Sequence, residues 1–138
     1  MEKEYPVIAV DEPDWETIGG GIHNFNIQQA GENHHQRLCY VIQGPEEEVL
    51  GGVIAEVYWN WLYIDLMFVK EDYRGQGYGR RLLNTIENKA RELGARNVFL
   101  DTFSFQAPEF YKKYGYQVFG ELEGFPDGHQ RYYLTKTL

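Results

Sequence analysis

The hydrophobic period of this chain changes from strand-like to helical at residues 74–79, and that change limits the folds open to it. Before the change, residues 37–43, 49–59 and 61–69 are strand-like runs. Gly44-Pro45 with three glutamates separates the first two, and Asn60 separates the second pair. Runs joined by turns this short form an antiparallel meander. After the change, Leu82, Leu83, Ile86, Ala90 and Leu93 recur at three- and four-residue spacing. That spacing marks one face of a helix, and Gly94 suits its C-terminal cap. Residues 97–101 (NVFLD) read as a short buried strand. Pro108 fits the first turn of another helix that ends near Gly115. Residues 116–120 and 131–135 read as two closing strands around the turn-rich 124–128. Ahead of the meander, residues 6–10 read as a strand. Residues 14–30 read as a helix, weakened by three consecutive glycines at 19–21. The order predicts a mixed α/β domain.

At 138 residues the chain is expected to form one domain, 1–138, because two cores would each be marginal. No apolar run is long enough to cross a bilayer, and the acidic start lacks a signal-peptide core. One cysteine, Cys39, excludes a disulfide framework and any multi-cysteine metal site. A cytoplasmic protein with no metal and no membrane partner is expected. The net charge of −8 argues against nucleic acid as a partner. Residues 1–73 hold 14 acids and 3 bases, whereas residues 74–138 hold 7 acids and 10 bases. Two ligands of opposite charge fit that division, as does a plain solvated acidic face.

Residues 69–79, VKEDYRGQGYG, run from a predicted strand into a predicted helix. The first turn of a helix has unpaired N–H groups and the positive end of the dipole. Glycines let phosphate oxygens reach those groups. Arg74, Arg80 and Arg81 add charge nearby. The run lacks the Gly-Lys-Ser/Thr ending of a P-loop, and Arg80 stands where a dinucleotide fingerprint needs its third glycine.

Arg74-x-x-Gly77-x-Gly79 after a strand end resembles the acyl-CoA pyrophosphate loop of the GNAT N-acetyltransferase superfamily. Downstream, Ala107, Tyr111, Gly115 and Tyr116 match that family's Ala-x-x-x-Tyr-x-x-x-Gly-Phe/Tyr segment. The resemblance is strongest over residues 49–120. It implies a GNAT-like α+β fold: a mixed, mostly antiparallel central sheet with helices on both faces. A splayed strand pair would form the acyl-CoA slot.

It also implies roles. Met67, Phe68 and Val69 would pair with the pantetheine arm, and one N–H there would stabilise an oxyanion. Arg74, Gly75, Gln76, Gly77, Tyr78, Gly79 and Arg80 would hold the pyrophosphate. Tyr111 would protonate the departing thiolate. The family often has Asn seven residues before this tyrosine. Ser104 stands there instead, with Gln106 near enough to supply an amide. Phe125 and His129, in the loop joining the last two strands, would border the acceptor. The general base stays open between Asp65, Asp101, Glu56 and a water relay. Alternation along residues 63–67 puts Tyr63, Asp65 and Met67 on one face.

The expected activity is acetyl-CoA-dependent N-acetylation of a primary amine, with a small cationic amine favoured over a protein, by direct attack in a ternary complex. The alternative is a non-catalytic acyl-CoA-binding sensor or regulatory module. The family also implies a homodimer. Cys39 alternates within a strand and is expected in the core. His34-His35 is expected in a surface loop.

Overall fold

The computed structural model describes residues 4–138. They form two compact units, 4–33 and 34–138. In the first unit, a π-helical turn Trp15–Gly19 runs into α1 (Gly20–Ala30). The Asp14 carboxylate accepts from Thr17 N at 2.9 Å and caps the start. The three glycines weaken the helix without ending it. Residues 6–10, expected as a strand, form no regular structure. Pro6 lacks an N–H, and a strand exists only through a ladder partner.

The second unit is a six-stranded sheet in the order β1-β2-β3-β4-β6-β5. Its strands are β1 (Gln36–Gln43), β2 (Val49–Tyr58), β3 (Trp61–Val69), β4 (Asn97–Phe103), β5 (Gln117–Glu123) and β6 (Gln130–Thr137). Only β3 and β4 run parallel, joined by α2 (Tyr78–Glu92). α3 (Pro108–Lys113) links β4 to β5. The β2–β3 turn has positive φ at both Trp59 (44°) and Asn60 (62°), the geometry that fits the right-handed twist of a hairpin.

One continuous core joins the sheet to both of these helices. Leu82, Leu83, Ile86 and Ala90 of α2 lie against Val53, Ala55, Leu62, Ile64, Val98, Leu100 and Leu134, with Tyr111 of α3 and Tyr116 in the same cluster. The buried Glu87 also faces inward and is satisfied there. It accepts from Tyr116 Oη at 2.6 Å and from Lys136 Nζ at 3.0 Å. Burial, with the adjacent Glu87 carboxylate, pushes the Tyr116 phenol far up. Cys39 is exposed, contrary to expectation. Its neighbours Leu38, Tyr40 and Ile42 face the core, so alternation turns Cys39 away.

One irregularity in β3 shapes everything downstream. In the β2–β3 ladder, Ala55 pairs with Ile64 and Ile54 with Leu66, so Asp65 is an extra residue, a β-bulge. Leu62 and Ile64 face the core before it, and Met67 and Val69 after it. The parity of the strand therefore flips, and Tyr63 and Met67 do not share a face as simple alternation predicted. The parallel ladder with β4 stops at the same place, its last pair being Ile64 with Leu100.

Candidate active site

Beyond Ile64 and Leu100 the two parallel strands separate, and a cleft of about 960 Å³ opens between them. Residues 65–69 keep β2 on one side and have no strand on the other. A strand edge with free peptide groups can accept an extended amide-bearing chain. Met67, Phe68 and Val69 all line the cleft. The Val69 carbonyl is already used, accepting from Arg74 Nε at 2.7 Å. That bond, with the Arg74 guanidinium 5.5 Å from the Phe68 ring, ties the glycine loop to the strand end.

The loop arrives at α2 through backbone that favours glycine. Gly75 has φ +75° and Gly77 φ +87°. Gly77 is the N-cap of α2 and offers no side chain, and the first bond within the helix is Arg81 N to Gly77 O. The N–H groups of Tyr78, Gly79 and Arg80 therefore have no helical partner. Gly79 sits in tight space: a Cβ there would lie 3.2 Å from the Phe110 ring, which would have to shift by a few tenths of an ångström. Gly75, Gly77, Tyr78, Gly79 and Arg80 line the cleft. Gln76 does not; its amide donates to the Asp72 carbonyl and steadies the loop. Arg81 stacks over Tyr78 instead of reaching the cleft. Unpaired N–H groups, a positive helix end and two lining arginines make a fitting seat for a pyrophosphate.

Tyr111 reaches the cleft from α3. Its ring is 8% exposed, and burial pushes its phenol up to about 12. Among the described residues the hydroxyl has no hydrogen-bond partner, yet no buried side-chain polar atom is unsatisfied. The hydroxyl therefore opens onto the cleft. A phenol so poised keeps its proton at neutral pH and can only donate it.

The far end of the cleft is acidic and aromatic. The bulge sets Asp65 at the point where the strands part, and Asp101 stands opposite on β4. Tyr63 lies with both. Its phenol is raised first by burial, then by the charges of Asp101 and Asp65. Asp101 Oδ1 accepts from Arg131 Nε at 3.0 Å and Nη2 at 2.7 Å. Among the described residues, Asp65 has no ion pair. Glu56, the third sequence candidate for a base, is outside the cleft. It accepts from His35 at 2.9 Å and Arg37 at 3.3 Å, and the His35 bond chiefly holds its carboxyl below the usual range.

The expected contacts of the 101–106 segment are redistributed. Ser104 does not line the cleft: its hydroxyl accepts from Gln130 N at 3.0 Å and fastens the segment to β6. Gln106 does line it, and its carbonyl oxygen accepts from Phe103 N at 2.9 Å. Phe125 and His129 stand behind the cleft wall, against the rings of Phe103 and Phe105. Tyr63 and Arg131 were not singled out from sequence. The parallel pairing of β3 with β4 brings Tyr63 to Asp101, and the pairing of β4 with β6 brings Arg131 there. Among the described residues, no cluster of His, Cys, Asp and Glu could hold a metal. None of their helices is long and apolar enough to cross a membrane.

Comparison with known proteins follows the same architecture. Residues 3–116 match the model of the acetyltransferase (GNAT) family. The chain is 38% identical over 96 residues to blasticidin-S acetyltransferase of Streptomyces morookaense, covering 69% of this chain and 71% of that one. It is 32% identical over 112 residues to an acetyltransferase of Agrobacterium fabrum, covering 81% and 82%. A crystal structure of an acetyltransferase from Bacillus cereus superposes with a TM-score of 0.91 at 35% identity, covering 97% of this chain and 98% of that one.

Proposed function

This chain belongs to the GNAT family of acetyltransferases and uses acetyl-CoA, and from that premise we propose that it acetylates a small cationic primary amine by direct attack in a ternary complex. One observation carries the choice of acceptor: the end of the cleft past Ile64 and Leu100 presents Asp65 and Asp101, and no cation among the described residues pairs with Asp65. An uncompensated carboxylate attracts an ammonium group and can take or relay its proton. The relative from Streptomyces morookaense carries a small molecule in its name, which supports the same class of acceptor.

Acetyl-CoA supplies an activated acyl thioester. The free edge of residues 67–69 and the N–H groups at the start of α2 are the groups that would hold it. Tyr111 keeps a proton at Oη, oriented toward the cleft, for a leaving thiolate. Asp65 is the better candidate for the acceptor's proton, because the Asp101 oxygen nearest Arg131 is already occupied.

The test is free-thiol release from acetyl-CoA with a panel of amines: polyamines, aminoglycosides, amino acids and short peptides. Amine-dependent release, fastest with small cationic amines, is expected. Release with peptides alone would replace the acceptor class. Binding of acetyl-CoA without release on any amine would favour a sensor or regulatory module instead.

A further inference from the structure

The acceptor end of the cleft holds a feature that the general chemistry of acetyl transfer does not need: a pile of flat groups. The Arg131 guanidinium lies 5.3 Å from the Phe103 ring centre, and Phe103 stacks on Phe105 at 5.3 Å with an interplanar angle of 8°. Phe125 flanks Phe103 at 5.5 Å and also lies under Arg131 at 5.1 Å. His129 meets Phe105 edge to face at 5.0 Å. The pile is fixed at its inner end, where two hydrogen bonds hold Arg131 to Asp101. It is open at its outer end: Phe105 lines the cleft and is 57% exposed in spite of two ring contacts. A phenyl ring already ordered beside a cleft offers apolar area that a bound ligand can cover at little further cost in side-chain entropy.

Resting on the reading of this cleft as an amine acetylation site, we infer that the acceptor carries a flat unsaturated ring beside its amine, and that the ring packs on the exposed face of Phe105. Parallel planes select a planar partner, because a rigid ring makes broad offset contact at no cost in rotamer freedom, whereas a flexible chain must give up rotamer freedom to do so. The same geometry sets the polarity of binding. Asp65, which has no cation partner among the described residues, draws the ammonium, and the ring is left toward Phe105. Arg131 is a positioning residue in this arrangement: it touches Asp101 and the rings and keeps both in register.

The experiment compares pairs of primary amines matched in charge and carbon number, one arylalkyl and one alkyl, by calorimetric titration into the full chain saturated with CoA. Thiol release from acetyl-CoA is followed with the same pairs. The arylalkyl member is expected to bind at least tenfold more tightly and to have a correspondingly lower KM. Phe105→Ala is expected to erase that preference by weakening the arylalkyl amine alone. Phe105→Trp, which restores a flat face, is expected to retain it. Equal affinity for the two members, or a Phe105→Ala loss shared equally by both, overturns the inference whether or not turnover occurs. Selective binding with no thiol release on any amine would leave the ring subsite standing and overturn the acetylation reading.

Discussion

The two ends of the cleft are built from different materials. The end where we propose the donor binds is made of backbone: the free edge of residues 65–69, the left-handed glycines 75 and 77, and the unpaired N–H groups opening α2. The end proposed for the acceptor is made of side chains: Tyr63, Asp65, Asp101, Phe103, Phe105 and Arg131. Backbone geometry tolerates few sequences, so it leaves a compact local motif. Side chains can be exchanged while the strands beneath them stay as they are. A fold of this kind can hold one donor and change acceptors by substitution at one end.

The largest test of that division is Tyr111→Phe, which removes the hydroxyl between the two ends and leaves the ring in the core. It should lower kcat by about 100-fold, at the lower end of what general acid catalysis contributes, with little change in the Kd of acetyl-CoA. Because burial pushes this phenol up to about 12, its proton is retained up to about pH 10. Wild-type activity should therefore show no alkaline loss from Tyr111 below that point in a pH–rate profile. A Tyr111→Phe variant that loses acetyl-CoA affinity instead would assign the residue to donor binding.

A smaller effect is expected from breaking the donor end alone. Gly77→Val places a β-branched residue at φ +87°, a strain of roughly 1–2 kcal/mol that the loop relieves by moving its N–H groups. The Kd of acetyl-CoA should rise about tenfold, and the relative rates across an amine panel should not change.

Outside the cleft, Tyr116→Phe leaves the buried Glu87 without its 2.6 Å donor, with Lys136 still in place. Urea denaturation should show about 1–3 kcal/mol less stability with kcat unaltered. The smallest effect concerns Glu56. Its folded carboxyl titrates below the ordinary value, so its contribution is present above the unfolded pKa and disappears as pH falls through the folded one. Glu56→Gln should cost about 0.5 kcal/mol at neutral pH, measured by denaturant midpoints, and the cost should shrink as pH falls below the ordinary glutamate range.

The same contrast explains what could be read from the sequence. The meander, α2, α3 and the glycine loop are local patterns of period, capping and φ, and the structure has them within a few residues. The bulge at Asp65 left no such trace, because alternation assumes an unbroken ladder. Tyr63 and Met67 were accordingly assigned to one face, when the extra residue separates them. Residues 6–10 have strand-like side chains, yet side chains alone do not supply a ladder partner. Ser104 and Gln106 were read by analogy as donor contacts, when Ser104 serves the link to Gln130. Asp101 and Arg131 are 30 residues apart, and nothing in the order of the chain announces their ion pair.

The central claim is that the separation of β3 from β4 beside the glycine loop makes the acetyl-CoA site. The most direct measurement is a calorimetric titration of acetyl-CoA into the wild-type chain and into Gly77→Val. The account predicts saturable one-to-one binding to the wild type and about tenfold weaker binding to the variant. No binding to the wild type, or equal binding to both, would contradict it.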